Sequence, residues 1–291
     1  MNIGHYPAQD PLSPMGAAYQ QRIFSLGAGL EGEEHSYGAD PYQSLAVFRP
    51  TQPAGEVLVF FHGGGWTNGY KEWMYFMAPA FQAQGITFVS AGYRLAPMHV
   101  FPVGLQDCAD AAAWVIRNVD PASGKASRVF IGGHSAGGHY AALLAVTSAW
   151  RVQRQLGPSA IAGCLPVSGV YLFGASSGIA VRPRFLGPAQ DGQVEIAASP
   201  LVQLEPAACP PFLLTHGSRD FPHLITQAGQ MTDALRAAHV PVQLEILEDC
   251  DHFEASVACG DASRPWVARA AAWIRGPGRQ PLLSTITGVK Q

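Results

Sequence analysis

Short runs that are apolar at nearly every position alternate along this chain with segments whose apolar residues recur three or four apart. Val57–Phe61, Ile86–Ala91, Arg128–Ile131, Ile161–Val167 and Phe212–Thr215 are of the first kind. Leu105, Ala109, Ala112 and Ile116 are of the second, as are Leu224, Ala228, Met231, Leu235 and Ala238. A strand with no polar face has to be covered on both sides, and helices between strands supply the cover. The pattern predicts an α/β fold with a mostly parallel central sheet flanked by helices. Tyr42–Phe48 is expected as an early strand and Val242–Leu247, which alternates, as the last. Helices are expected over 103–118 and 136–147 and along the face ending at Ala238. A final helix is expected to run from a Ser263 cap to Arg275, with Gly276 as its stop.

Two turns interrupt the apolar runs in a particular way. The run before Gly132 ends in Gly133-His134-Ser135-Ala136-Gly137, and an alanine- and leucine-rich segment follows. A Gly-x-Ser-x-Gly pattern is weak alone. Gly174-Ala175-Ser176-Ser177-Gly178 matches it too, but no helix start follows, and Ser176 is read as a loop residue. Strand, sharp turn and helix together place Ser135 exposed at the C-terminal edge of a sheet, as a nucleophile needs. The second turn is His62-Gly63-Gly64-Gly65-Trp66, directly after Phe61. Three glycines bring bare backbone close to a ligand, and their N–H groups suit an oxyanion hole. Gly64 and Gly65, ahead of Gly63, are the expected donors, together with Ala136, which follows the nucleophile. His62 is read as a brace for this loop. Trp66 is left open between the substrate pocket and the core.

A serine hydroxyl needs a base and the base an orienting acid. Of the histidines well past Ser135, His216 ends a strand, and His223 and His239 fall at the ends of one helical segment. His252 follows the last strand and faces the right edge. Asp220, just beyond Phe212–Thr215, is the expected acid. Asp249 and Asp251 lie too close in sequence to His252 to face its ring easily. Trp66, Tyr171 and Phe253 are the expected substrate-binding residues, with Phe173, Phe185 and Phe221 as further aromatics near the site.

These motifs resemble those of the α/β-hydrolase fold esterases. His62-Gly-Gly-Gly-Trp, Tyr93-Arg94-Leu95-Ala96-Pro97, Gly133-His-Ser-Ala-Gly-Gly138, Ser168-Gly169 and Asp251-His252-Phe253 carry the resemblance, over roughly residues 42–275. Gly133 to His139 and Asp-His-Phe are similar to the bacterial kynurenine-formamidase (arylformamidase) branch. Phe101-Pro102 and the Tyr-Arg-Leu-Ala-Pro segment are similar to the hormone-sensitive-lipase-like carboxylesterases. The latter usually carry Asp before the serine, where this chain has His134. The resemblance implies a serine hydrolase of small acyl esters or N-formyl aryl amides, and a pairing of Arg94 with Asp107 or Asp110 beneath the site. With no internal repeat and no clean linker, one domain is expected over 1–291, with 1–40 as an N-terminal arm or cap, 170–200 as a lid-like insertion and 276–291 as a loose tail.

Composition narrows the alternatives. Charged residues are 13% and hydrophobic ones 48% of the 291, which excludes disorder for most of the chain. The net charge is −3 and no basic run exists, so no nucleic acid or anionic membrane surface is expected as partner. No apolar run approaches the roughly 20 residues of a membrane span, and the first residues lack the pattern of a secretory signal. The five scattered cysteines include no Cys-x-x-Cys, and there is no His-Glu-x-x-His. A cytoplasmic protein acting on a small molecule, without metal or other cofactor, is the expectation. A homo-oligomer is left open.

Overall fold

The computed structural model describes residues 3–119, 128–175, 177–179, 183–188 and 192–276. In chain order the elements are α1 (Pro14–Leu26), β1 (Glu33–Ser36), β2 (Ser44–Phe48), β3 (Glu56–Phe61), a 3₁₀ segment (Lys71–Met77), α2 (Ala78–Gln82), β4 (Thr87–Ala91), α3 (Val103–Asn118) and β5 (Arg128–His134). There follow α4 (Ala136–Val146), α5 (Ala149–Gln153), β6 (Gly163–Val167), α6 (Gln193–Ala198), β7 (Phe212–Gly217), α7 (Pro222–Ala237), β8 (Val242–Leu247), α8 (His252–Ala258) and α9 (Pro265–Arg275).

The described strands form one sheet in the order β1-β2-β4-β3-β5-β6-β7-β8. The β1–β2 and β2–β4 pairs are antiparallel, and every pair from β4 to β8 is parallel. The apolar runs explain this arrangement. Alternate residues of β3 enter opposite cores: Val57, Val59 and Phe61 pack under α3 and α4, while Leu58 and Phe60 pack under α2 and α9. β7 divides likewise, Phe212 and Leu214 on one face and Leu213 on the other. A parallel sheet sends all its strand ends to one edge, so the turns after β3, β5, β7 and β8 converge there.

Residues 1–40, expected as an arm or cap, carry α1, with the Ser13 hydroxyl accepting from Gly16 N–H at 3.1 Å and Pro14 in the first turn. Its buried stripe is only Gly16, Tyr19 and Ile23, too narrow for a clear periodic signal. The last helix begins at Pro265, one residue past Arg264. Ser263 does not cap it; its N–H and hydroxyl both donate to Asp261 Oδ1. Gly276 ends the helix at φ 78°. The expected tail, apart from Gly276, and Ser176 lie outside the described residues.

Candidate active site

β5 delivers Ser135 at the central point of the sheet edge. Its backbone has φ 54° and ψ −114°, a conformation non-glycine residues seldom adopt. The neighbours show why the turn needs glycines. A Cβ on Gly133 would lie 2.3 Å from the carbonyl carbon of Gly137, and one on Gly137 would lie 2.2 Å from the Phe61 carbonyl oxygen. Ser135 N–H donates to Val167 O at 2.9 Å, which fixes the turn to β6.

His252 stands in front of this serine. Its Nδ1 is 2.9 Å from Asp220 Oδ1 and its Nε2 is 2.9 Å from Ser135 Oγ. A carboxylate only accepts, so Nδ1 carries the hydrogen and Nε2 offers its lone pair to the hydroxyl. Asp220 also accepts from Phe221 N–H at 2.7 Å and from the Ser168 hydroxyl at 2.5 Å. Burial pushes its carboxyl pKa up, but the bonds and charge of His252, then Ser168 and the Phe221 N–H, outweigh it and hold it well below the usual range. His252 is the first residue of α8, a helix not foreseen in the sequence. Asp251 caps it, accepting from Phe253 and Glu254 N–H at 2.9 and 2.8 Å. Of the other candidate bases, His216 Nδ1 bonds Gly217 O, and His223 stacks on Phe221.

The glycine loop lies across the same space. Gly64 has φ 117° and Gly65 φ 61°. The Gly64 carbonyl accepts from Thr67 and Asn68 N–H, at 3.2 and 3.0 Å, and closes the loop. No hydrogen bond among the described residues uses the N–H of Gly64 or Gly65. Ala136 N–H sits in the first turn of α4, where a helix leaves its donors free. His62 is buried, stacks on Tyr93 at 4.2 Å, and bonds its own loop through Nδ1 and Gly63 O at 2.7 Å. Burial lowers its pKa to about 4. Gln9 holds both N–H and C=O of Gly69 at 2.9 and 2.8 Å, tying the loop to the N-terminal segment.

A family model described as the alpha/beta hydrolase fold matches residues 58–255. The chain belongs to the α/β-hydrolase family.

Relatives of this chain include the esterase LipC of Mycobacterium tuberculosis (strain ATCC 25618 / H37Rv), 32% identical over 80% of this chain and 60% of the relative. The isoprenylcysteine α-carbonyl methylesterase ICME of Arabidopsis thaliana is 26% identical over 75% of the chain and 55% of the relative. The chain thus spans 60% or less of the length of these two relatives. The kynurenine formamidase of Danio rerio is 28% identical over 75% of this chain and 73% of its own. Among solved structures, the esterase of Pyrobaculum calidifontis superposes with a TM-score of 0.71 at 21% identity, covering 91% of this chain and 98% of that one. The thermostable carboxylesterase EstE1 from a metagenomic library gives 0.70 at 20%, covering 91% and 97%. At these identities the likeness is one of fold.

Ser135, His252, Gly64 and Gly65 line one cavity of about 370 Å³. The segment that enters α1 and α1 itself also line it, through Leu12, Ser13, Gly16 and Tyr19, as do Phe221 and Phe253. Of the three expected substrate-binding residues, only Phe253 lines this cavity. Trp66 is turned inward at φ 64°, stacks on Phe185 at 4.2 Å and donates its indole N–H to His139 Nδ1 at 3.1 Å. Tyr171 is fully buried under the sheet's first core. Both follow loops at the right edge, but the Trp66 ring packs on His139 of α4 and the Tyr171 hydroxyl turns toward Gly169. The region expected as a lid sends Phe173 and Phe185 into the same cluster. Arg94 pairs with Asp107 by two bonds at 2.8 and 2.7 Å, whereas Asp110 pairs with Arg154.

Three residues of the site carry no clear signal in the sequence as site residues. Tyr19 comes from α1, which was not foreseen. Ser168 was noted within a motif, and its φ of 51° marks it as a second strained turn beside the first. His134 lines the cavity from the position just before Ser135. Among the described residues no three His, Cys, Asp or Glu gather in a way that holds a metal ion. No described helix is long and apolar enough to cross a membrane.

Proposed function

We propose that this protein is a serine hydrolase that cleaves small acyl esters or N-formyl aryl amides through a Ser135-His252-Asp220 triad. One observation carries the reading: the unbroken line of hydrogen bonds from Asp220 through His252 to Ser135, each 2.9 Å, ending in a cavity lined by Gly64 and Gly65. Ser135 Oγ attacks the acyl carbon while its proton passes to His252 Nε2. The carbonyl electron pair moves to oxygen, which accepts from the N–H groups of Gly64, Gly65 and Ala136. The pair returns, the bond to the alcohol or arylamine breaks, and the leaving group takes the proton from His252. Water then attacks the acyl-enzyme with His252 as base, releasing the acid and restoring Ser135.

A cavity of about 370 Å³ suits a compact acyl group. Phe221 and Phe253 in its lining favour an aromatic leaving group. Relatives include both esterases and a formamidase, and a general carboxylesterase of the hormone-sensitive-lipase-like type is the second reading. The five cysteines are all free thiols, which supports a reducing, cytoplasmic setting.

One panel tests both readings: p-nitrophenyl acetate and butyrate against N-formylkynurenine and simple aryl formamides, with Ser135→Ala as control. Ser135→Ala is expected to lose essentially all turnover. Wild-type rates in that variant would refute the mechanism. Formamide kcat/KM well above ester kcat/KM selects the first branch, and the reverse selects the second.

A further inference from the structure

The base is held from behind as well as from the side. His134 Nε2 lies 3.0 Å from the backbone carbonyl oxygen of His252, and the two rings are 4.7 Å apart. The carbonyl only accepts, so His134 carries its hydrogen on Nε2 and a lone pair on Nδ1. That Nδ1 is buried and has no hydrogen-bond partner. It is packed against the glycine loop: a Cβ on Gly63 would lie 2.8 Å from it. A single ring therefore touches the strand that carries the nucleophile, the backbone of the base and the oxyanion loop.

Leaving a buried acceptor unpaired is unfavourable, and a leucine here would avoid it. A leucine would also leave the His252 carbonyl without this donor. An aspartate, the usual residue here in the lipase-like esterases, would place a second anion near the base. His252 Nδ1 already faces the Asp220 carboxylate. Another negative charge about 5 Å away would strengthen proton binding at His252. The lone pair that must take the Ser135 proton would then be occupied to higher pH. A neutral imidazole avoids both outcomes.

We propose that His134 is a positioning residue: it holds the main chain of His252 through Nε2–H···O=C and presents a neutral edge to the base. Burial, and then the nearby His252, keep the His134 pKa far below the usual histidine range. The other groups that face His252 are each accounted for. Asp220 comes from the turn after β7, Ser135 from the turn after β5 and His223 from α7. On α8 itself, Asp251 is the cap and Glu254 pairs with Arg22 of α1. Tyr19 of α1 packs 6.0 Å from the His134 ring and donates or accepts at Ser256.

The inference rests on the serine-hydrolase reading, and its test separates the two. Imidazole ¹H–¹⁵N NMR needs no turnover. His134 is expected as the neutral Nε2–H tautomer from pH 8 to 5. In His134→Asp the acid limb of kcat/KM on p-nitrophenyl acetate should move to higher pH. His134→Leu should lower kcat at least about tenfold with KM within about threefold, and His134→Gln, which keeps a donor, should recover most of that loss. Three results would overturn the proposal: a His134 that titrates near 6.5, an unmoved acid limb in His134→Asp, or a His134→Leu that loses only melting temperature. If His134→Leu does not fold, the Asp and Gln variants decide. A wild type that shows the NMR behaviour without hydrolysing anything refutes the function and leaves the positioning intact.

Discussion

The Ser168 hydroxyl donates to Asp220 Oδ2 at 2.5 Å, on the oxygen that His252 does not use. The acid of the site is thus gripped at both ends, and its buried charge is shared between β6 and α8. Ser168→Ala removes a hydrogen bond to a charged group, worth roughly 1.5–3 kcal/mol, without touching the substrate cavity. We expect kcat/KM on p-nitrophenyl acetate to fall about tenfold or more, mainly in kcat. Unchanged kcat would show that Asp220 needs no second anchor.

Gly64 and Gly65 both have positive φ but differ in surroundings. A Cβ on Gly64 would lie 2.0 Å from the Asn68 carbonyl oxygen, whereas one on Gly65 has nothing within 4 Å. Gly64→Ala must displace the loop and should cost kcat/KM at least ~100-fold, the scale of a lost oxyanion donor. Gly65→Ala should meet only backbone strain of ~1–2 kcal/mol and stay within about tenfold. Equal losses in the two variants would contradict this geometry.

Trp66 serves the core rather than the substrate. Trp66→Phe deprives His139 Nδ1 of its donor and should destabilise the fold by about 1–3 kcal/mol in urea unfolding, with KM unchanged. A severalfold change in KM at unchanged stability would return Trp66 to the pocket.

His62 and His139 are buried and neutral, with pKa values pushed by burial from 6.5 to about 4. Between those values the unfolded chain binds protons that the native one refuses. The associated stability is complete above pH 6.5 and is lost as pH falls toward 4, by about 1.4 kcal/mol per pH unit for each ring. Urea midpoints measured at pH 7 and 5 should fall clearly at the lower value. Equal midpoints would mean that these rings are not buried neutral.

How much of this was legible beforehand depended on burial. α3 and β8 fall where apolar spacing puts them, because their side chains face a core. β1 is Glu-Glu-His-Ser at the sheet's edge and joins by backbone bonds to β2, which leave no mark on side-chain pattern. The 3₁₀ segment at Lys71–Met77 is buried all round and has no face to display. In the site, Ser135, Asp220 and His252 could be found because each follows a strand whose direction is fixed. Ser168, His134 and Tyr19 act across the edge, through neighbours 52, 118 and 237 residues away, and spacing in one chain holds no trace of such pairs.

Part of the cavity lining is carried by a thirteen-residue helix and the turn before it, neither of which supplies a group to the proposed reaction. α1 is bound to the rest by few polar ties, among them Tyr19 to Ser256 and Arg22 to Glu254. This part of the lining and the groups of the proposed reaction therefore occupy different stretches of the chain. Such a segment can drift, or be exchanged for that of a relative, while the chemistry stays where it is, so new selectivities are open to this scaffold without rebuilding its engine.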